Sequence, residues 1–263
     1  MTGTALLGSR LRRLVAARRG RSGDAEQPAL SGELATATPF EREVVAKTLP
    51  HSITSAPRIL SVIDAVRHCV RREVPGAFAE CGVWRGGSVL AMVLTLQELG
   101  RTDRDVYLYD TFEGMTAPTE HDTSPVDRPA LEIWEEAQGG PDRAWPYFFN
   151  PDVFNEDIVR QNLLATGYPE ARLHFVRGRV EDTLPARAPD ALAFLRLDTD
   201  WYESTRHELI HLYPRVADGG VLIVDDYGHW AGSRRAVDEY FSSEAPPPLL
   251  SRIDYTGRIG IKH

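Results

Sequence analysis

Apolar residues along this chain fall into short continuous bursts separated by helical stripes, the pattern of buried strands alternating with helices. Residues Pro39 to Leu49 and Ala56 to Val74 carry helical spacing. In the second, Ile59, Leu60, Ile63, Val66 and Val70 form one stripe, and Pro57 suits a first turn. Pro75-Gly76 ends that helix and AFAEC follows as a short strand. The glycine-rich turn GVWRGGS then opens the apolar helix VLAMVLTLQELG, which stops at Gly100. DVYLYD reads as a second strand, and its terminal Asp110 comes about 30 residues after Glu80, the pitch of a βαβ unit. Asp157 to Thr166 reads as a helix and Arg172 to Arg177 as a strand. ALAFLRL and GGVLIV read as buried parallel strands, with a helix from Ser204 to Val216 between them. LLSRIDYTGRIGIKH predicts a terminal hairpin turning at Tyr255-Thr256-Gly257. The alternation predicts an α/β fold: a doubly wound, mostly parallel sheet with helices on both faces.

Two stretches break the pattern. Thr116 to Asn155 is polar, rich in Pro, Trp and acids, and without a sustained period, which within a compact domain marks a lid or binding loop. The opening stretch is basic, and Leu6, Leu7, Leu11, Leu14 and Val15 recur near helical spacing. That is the pattern of a short amphipathic arm docking on a partner subunit, hence a homodimer or higher homo-oligomer, or of a frayed tail. It has no apolar core of signal-peptide length, and no stretch is long enough to span a bilayer. The 263 residues, 42% hydrophobic, suffice for one domain plus this arm. Only Cys69 and Cys81 are present, read as reduced core thiols of a cytoplasmic protein. A formal charge of -8 argues against nucleic acid as a partner.

The chemistry concentrates where strands end in acids. The segment around β-like ALAFLRL runs into Asp198 and Asp200, and GGVLIV runs into Asp225 and Asp226. Ligands of open α/β sheets bind at such carboxyl ends. Several carboxylates crowded together repel one another unless a hard cation such as Mg²⁺ compensates them, so Asp198, Asp225 and Asp226 are the candidate metal ligands. Asp200 projects two residues past Asp198 and is the candidate general base, with His121, His229, Tyr202 and Asp122 as rivals, or it is a fourth ligand.

Glu80, the glycines Gly82, Gly86 and Gly87, and Asp110 compose a nucleoside-binding turn, with Asp110 placed to accept from ribose hydroxyls. The turn lacks the G-x-G-x-x-G spacing that cradles a pyrophosphate, and an acid heads it. Glu80 would repel a pyrophosphate but face a sulfonium or amino group, which favours S-adenosylmethionine over a nicotinamide dinucleotide. A nicotinamide-dependent sugar oxidoreductase or epimerase and a non-catalytic sugar- or metal-binding module stand as alternatives. Trp84, Trp201, Tyr202, Tyr227 and Trp230 place aromatic surface near the same mouth, whereas His68 and His174 sit in regular elements and read as structural.

The stretches ECGVWRGGS, YLYDTFEGM, GRVEDTLP, LRLDTDWYEST, LYPRVADGGVLIVDDYGHW and AVDEYF resemble the macrocin-type O-methyltransferases, the TylF family, from about Thr48 to the C-terminus. The resemblance implies a class I methyltransferase (Rossmann-like) fold over 48–263; the N-terminal arm over 1–47 and the lid over 116–155 depart from the shared pattern. It implies S-adenosylmethionine as donor, Mg²⁺ as metal, and a sugar hydroxyl of a glycosylated natural product of antibiotic biosynthesis as acceptor. It places the methionine part of the cofactor at Glu80, Gly82, Val83 and Trp84, with Gly87 and Ser88 in the helix opening and Ile53 reaching in. Asp110 would take the ribose, followed by Thr111, Phe112 and Gly114; Gly178, Arg179, Val180 and Glu181 would surround the adenine; Asp198 would border the cofactor. The implied metal ligands are Asp198, Asp225 and Asp226.

Overall fold

The structure, a computed structural model, describes residues 32–137, 145, 148–150 and 152–263. The Leu6 to Val15 stripe lies outside the described residues. Helix α1 (Pro39–Thr48) opens with a capping box: Glu41 N donates to Thr38 Oγ1 at 3.3 Å, and Thr38 N donates to Glu41 Oε2 at 2.7 Å. Its Val44 and Val45 are buried, so this helix packs into the domain although it precedes the boundary at Thr48. Helix α2 (Ala56–Arg71) lays down the expected stripe, with Ile59, Ile63 and Val66 fully buried.

Strand β1 (Ala77–Cys81), helix α3 (Gly87–Glu98) and strand β2 (Val106–Asp110) form the first βαβ unit. Helix α4 (Ala130–Glu136), helix α5 (Glu156–Leu164) and strand β3 (Leu173–Arg177) follow. After the one-turn helix α6 (Val180–Thr183) come strand β4 (Leu192–Leu197), helix α7 (Tyr202–Leu212) and strand β5 (Val216–Val224). Helix α8 (Ala231–Ser243), strand β6 (Ser251–Arg252) and strand β7 (Arg258–Ile261) complete the chain.

The strands join in the order β3-β2-β1-β4-β5-β7-β6. The pairs from β3 through β5 are parallel, and β7 runs antiparallel to β5 and to β6, closing the expected hairpin. Strand order reverses between β1 and β4, so the carboxyl ends of these two strands flank the switch-point crevice of a doubly wound sheet. One apolar layer packs α1, α2 and α3 on one face, while Leu209, Leu212, Val237, Tyr240 and Phe241 of α7 and α8 cover the other.

Two elements depart from the sequence reading. The stretch 116–155, expected to lack regular structure, contains α4, a seven-residue helix too short to express a period. Helix α8 was not anticipated: the first half of its buried face is Gly232, Ser233 and Ala236, and only Val237, Tyr240 and Phe241 in its second half carry an apolar stripe. Leu195, in the central strand β4, is fully buried, and Leu195→Ala should lower unfolding free energy by about 2–5 kcal/mol in urea titrations.

Candidate active site

The carboxyl ends of β1, β2, β4 and β5 open into one cavity of about 530 Å³. Every residue singled out from the sequence as binding cofactor or metal borders it except Gly86 and Phe112, and Asp200 borders it as well. Phe112 is instead packed in the core, its ring 6.0 Å from that of Phe175. The chain reverses hand there at a φ of 54°, and that turn drives the aromatic side chain inward. Gly82 shows why the β1 end must be glycine. Its φ is +82°, and a Cβ there would stand 2.0 Å from the Asp198 carbonyl oxygen, so the ends of β1 and β4 touch through bare backbone.

Asp110 borders the cavity and also shapes the turn beside it. Its Oδ2 accepts from Val83 N at 2.7 Å and Trp84 N at 3.0 Å, and its Oδ1 accepts from Phe112 N at 2.7 Å. Most of its accepting capacity therefore holds the glycine turn in shape. Glu80 does not stand free either. It is the β1 residue in register with Arg196 of β4, and the two side chains are paired with almost no solvent access. Burial pushes its carboxyl up to about 7 against the pull of Arg196, and Oε2 is buried without a partner. An orphaned buried acceptor on the cavity wall suits a cationic ligand group.

Asp198, Asp225 and Asp226 each offer a carboxylate oxygen within 4.8 Å of the others. The sequence argument had these acids compensated by a cation alone; the structure brings in two arginines. Arg196 donates to Asp198 Oδ2 at 2.7 Å and pairs with Asp225 Oδ1, while Arg58 of α2 pairs with Asp225 Oδ2 and reaches Asp254 at 3.0 Å. Burial works to raise the Asp225 carboxyl, and the two guanidiniums outweigh it, holding Asp225 below the usual carboxylate range. The compensation is partial. Burial pushes Asp198 well up despite Arg196, and burial together with neighbouring carboxylates does the same to Asp200 and Asp226. Asp226 Oδ2 is buried and unpartnered. Five carboxylates, from Glu80, Asp198, Asp200, Asp225 and Asp226, thus face two guanidiniums, one of them shared with Asp254.

Among the rival proton acceptors, Tyr202 donates to Glu239 at 2.6 Å and Asp122 is buried in hydrogen bonds to Tyr202 N and Thr119; neither borders the cavity, nor does His121. His229 does, with Nδ1 3.0 Å from the Tyr255 hydroxyl, and burial keeps it neutral by lowering its pKa. Trp84, Trp201 and Trp230 line the cavity, whereas the Tyr227 hydroxyl donates away to Asp238 at 2.7 Å. His68 and His174 are tied to Gly219 O and Asp105. Arg196 was legible as a lone charge inside an apolar run; nothing in the local sequence marks Arg58.

A doubly wound sheet of this strand order, with a glycine turn after β1 and acids after β4 and β5, defines a class I, Rossmann-like methyltransferase. The TylF macrocin-O-methyltransferase family model matches residues 41–259, and the chain belongs to that family. It is a methyltransferase, and membership implies S-adenosylmethionine as methyl donor. It is 33% identical over 209 residues to demethyldecarbamoylnovobiocin O-methyltransferase of Streptomyces niveus, covering 79% of this chain and 74% of the relative. It is 31% identical over 211 residues to mycinamicin III 3''-O-methyltransferase of Micromonospora griseorubida, covering 80% and 78%. The solved structure of the O-methyltransferase NovP superposes with a TM-score of 0.69 at 30% identity, covering 81% of this chain and 82% of that one. The calicheamicin methyltransferase CalS11 shares the fold at a TM-score of 0.59 and 19% identity, covering 92% and 99%.

Three backbone N–H groups donate to both oxygens of Asp110, so Asp110→Asn turns an NH2 toward at least one of them. The variant should stay folded and bind S-adenosylhomocysteine about tenfold or more weakly in calorimetry, from roughly 1–3 kcal/mol of lost turn stabilisation.

Proposed function

We propose that this chain is an S-adenosylmethionine- and Mg²⁺-dependent O-methyltransferase that modifies a sugar hydroxyl of a glycosylated natural product, a cytoplasmic step of antibiotic biosynthesis. The observation that carries this reading is that the glycine turn after β1 and the acid cup after β4 and β5 open into the same cavity. The relatives act, by their names, on the glycosides demethyldecarbamoylnovobiocin and mycinamicin III and on a rhamnosyl tetracenomycin.

The acid cup suits a small hard dication: Asp198, Asp225 and Asp226 are oxygen donors within reach of one centre, and Asp226 Oδ2 has no other partner. When bound, S-adenosylmethionine supplies an electrophilic methyl group, and Mg²⁺ supplies charge that acidifies an acceptor hydroxyl. The chain's own residues do the rest. Glu80 presents its free Oε2 to the positive end of the donor. Asp200, two residues beyond Asp198, takes the proton as the hydroxyl oxygen accepts the methyl group.

Residues 116–155 act as the lid. Asp122, fully buried, accepts from Tyr202 N at 2.8 Å and from Thr119 N at 2.7 Å, and Trp201 Nε1 donates to Thr116 O at 2.9 Å. Those bonds fasten the front of the segment to the start of α7. Trp145, Phe148 and Phe149 then wall the cavity with aromatic surface suited to an apolar acceptor and to excluding water.

Incubation with S-adenosylmethionine, Mg²⁺ and demethyldecarbamoylnovobiocin, mycinamicin III or the desmethyl rhamnosyl tetracenomycin should give a singly methylated glycoside by mass spectrometry. Methylation of the aglycone alone, or of none of the glycosides, contradicts the sugar assignment. EDTA should abolish turnover and Mg²⁺ restore it, and Asp226→Asn should remove a Mg²⁺-induced rise in Tm. Turnover indifferent to EDTA would dismiss the metal. Asp200→Asn should lower kcat by about 10²–10⁴-fold with S-adenosylmethionine binding intact.

A further inference from the structure

Asp200 is held in an unusual way. Its backbone lies in the left-handed region at a φ of 67°, uncommon for a residue with a Cβ although aspartate tolerates it better than most. Its Oδ1 accepts a 2.9 Å hydrogen bond from the indole Nε1 of Trp230, the residue immediately before α8. Trp230 is itself nearly buried and fixed at both ends. Its backbone N donates to Asp226 O at 3.0 Å, and its ring meets the Trp201 ring edge-on at 5.1 Å. Trp201 in turn touches Trp145 at 5.9 Å and donates to Thr116 O, while Ala231 N donates to Thr123 O at 2.8 Å. The indole is therefore braced against β5, α7 and the 116–155 segment together.

The neighbouring acid Asp225 is handled by the opposite means. Arg196 and Arg58 engage both of its oxygens with positive charge, which stabilises the carboxylate and leaves it a poor proton acceptor. Asp200 has a neutral donor instead, and on one oxygen. A tryptophan N–H is donor-only and carries no formal charge, so it fixes where a carboxylate points without an ionic clamp.

Taking Asp200 as the base, we infer that Trp230 is its positioning residue: the indole N–H occupies Oδ1, pins the side chain in its left-handed turn, and leaves Oδ2 to receive the acceptor proton. Through Trp201 and Trp145, the same indole couples the geometry of the base to the seating of the 116–155 segment.

Trp230→Phe keeps an aromatic ring in the stack while removing the donor together with part of the indole surface. With a glycoside that the wild-type enzyme methylates, the variant should lose roughly 10- to 100-fold in kcat, as when an outer partner that orients a functional side chain is removed. KM for the acceptor, S-adenosylhomocysteine affinity and Tm should stay within about twofold or a few degrees of wild type. Adding Trp230→Phe to Asp200→Asn should cost nothing further, because an indole acting only through Asp200 has nothing left to orient. In ¹H–¹⁵N spectra the protein has five tryptophan indoles, and Asp200→Asn should displace chiefly the peak that Trp230→Phe removes. An unchanged kcat in Trp230→Phe, or a loss equal in the presence and absence of Asp200, overturns the positioning role while the base assignment stands. An unchanged kcat in Asp200→Asn removes the base assignment itself and the inference with it.

Discussion

The site is organised around a single guanidinium. Arg196 sits on the central strand β4, in register with Glu80 of β1, and its nitrogens reach Glu80, Asp198 and Asp225, three acids from three adjacent strand ends. Burying one cation among several carboxylates is costly unless the geometry satisfies them, and removing that cation would leave buried charge unmatched. The sheet provides the geometry: parallel register fixes where each strand stops, and backbone contact at Gly82 lets β1 and β4 end side by side. Arg58 adds a second positive charge from α2, which ties the helical layer on one face to the acids at the sheet's edge.

That frame separates the acids by role. Asp225, gripped from both sides, is the most firmly ionised of the cup. Asp226 keeps an oxygen free, and Asp200 rests on a neutral indole. Glu80, though paired, also retains an unsatisfied oxygen facing the cavity. Carboxylates that look equivalent as letters in DTD and VDD are thus made chemically unequal by which donors the fold brings to each oxygen.

Much of this was legible in the sequence because strand ends are written plainly. Runs such as AFAEC, ALAFLRL and GGVLIV have the length and composition of buried strands, and acids directly after the last two mark carboxyl ends, so the sheet and the meeting of Asp198, Asp225 and Asp226 followed from local pattern. What stayed hidden depends on distance. Arg58 reaches Asp225 across 167 positions, and Trp230 reaches Asp200 across 30, contacts that no spacing rule encodes. Asp110 carries a second role that its position did not reveal: its oxygens accept from three backbone amides that shape the turn. Phe112 was drawn to the cavity by its place after Asp110, when a local reversal of the backbone turns it into the core.

The segment between β2 and α5 is fastened at its front, at its rear and, through Trp145 and Phe148, along its length. Asp122 and Thr116 moor its front to α7, and Asn155 closes its rear by capping α5, with Oδ1 accepting from Ile158 N at 2.9 Å. Loop closure between fixed ends varies only slowly with the number of residues enclosed. Length can therefore change between these ties at small cost, whereas the aromatic wall cannot change freely, because Trp145 meets Trp201 and through it the indole that holds Asp200.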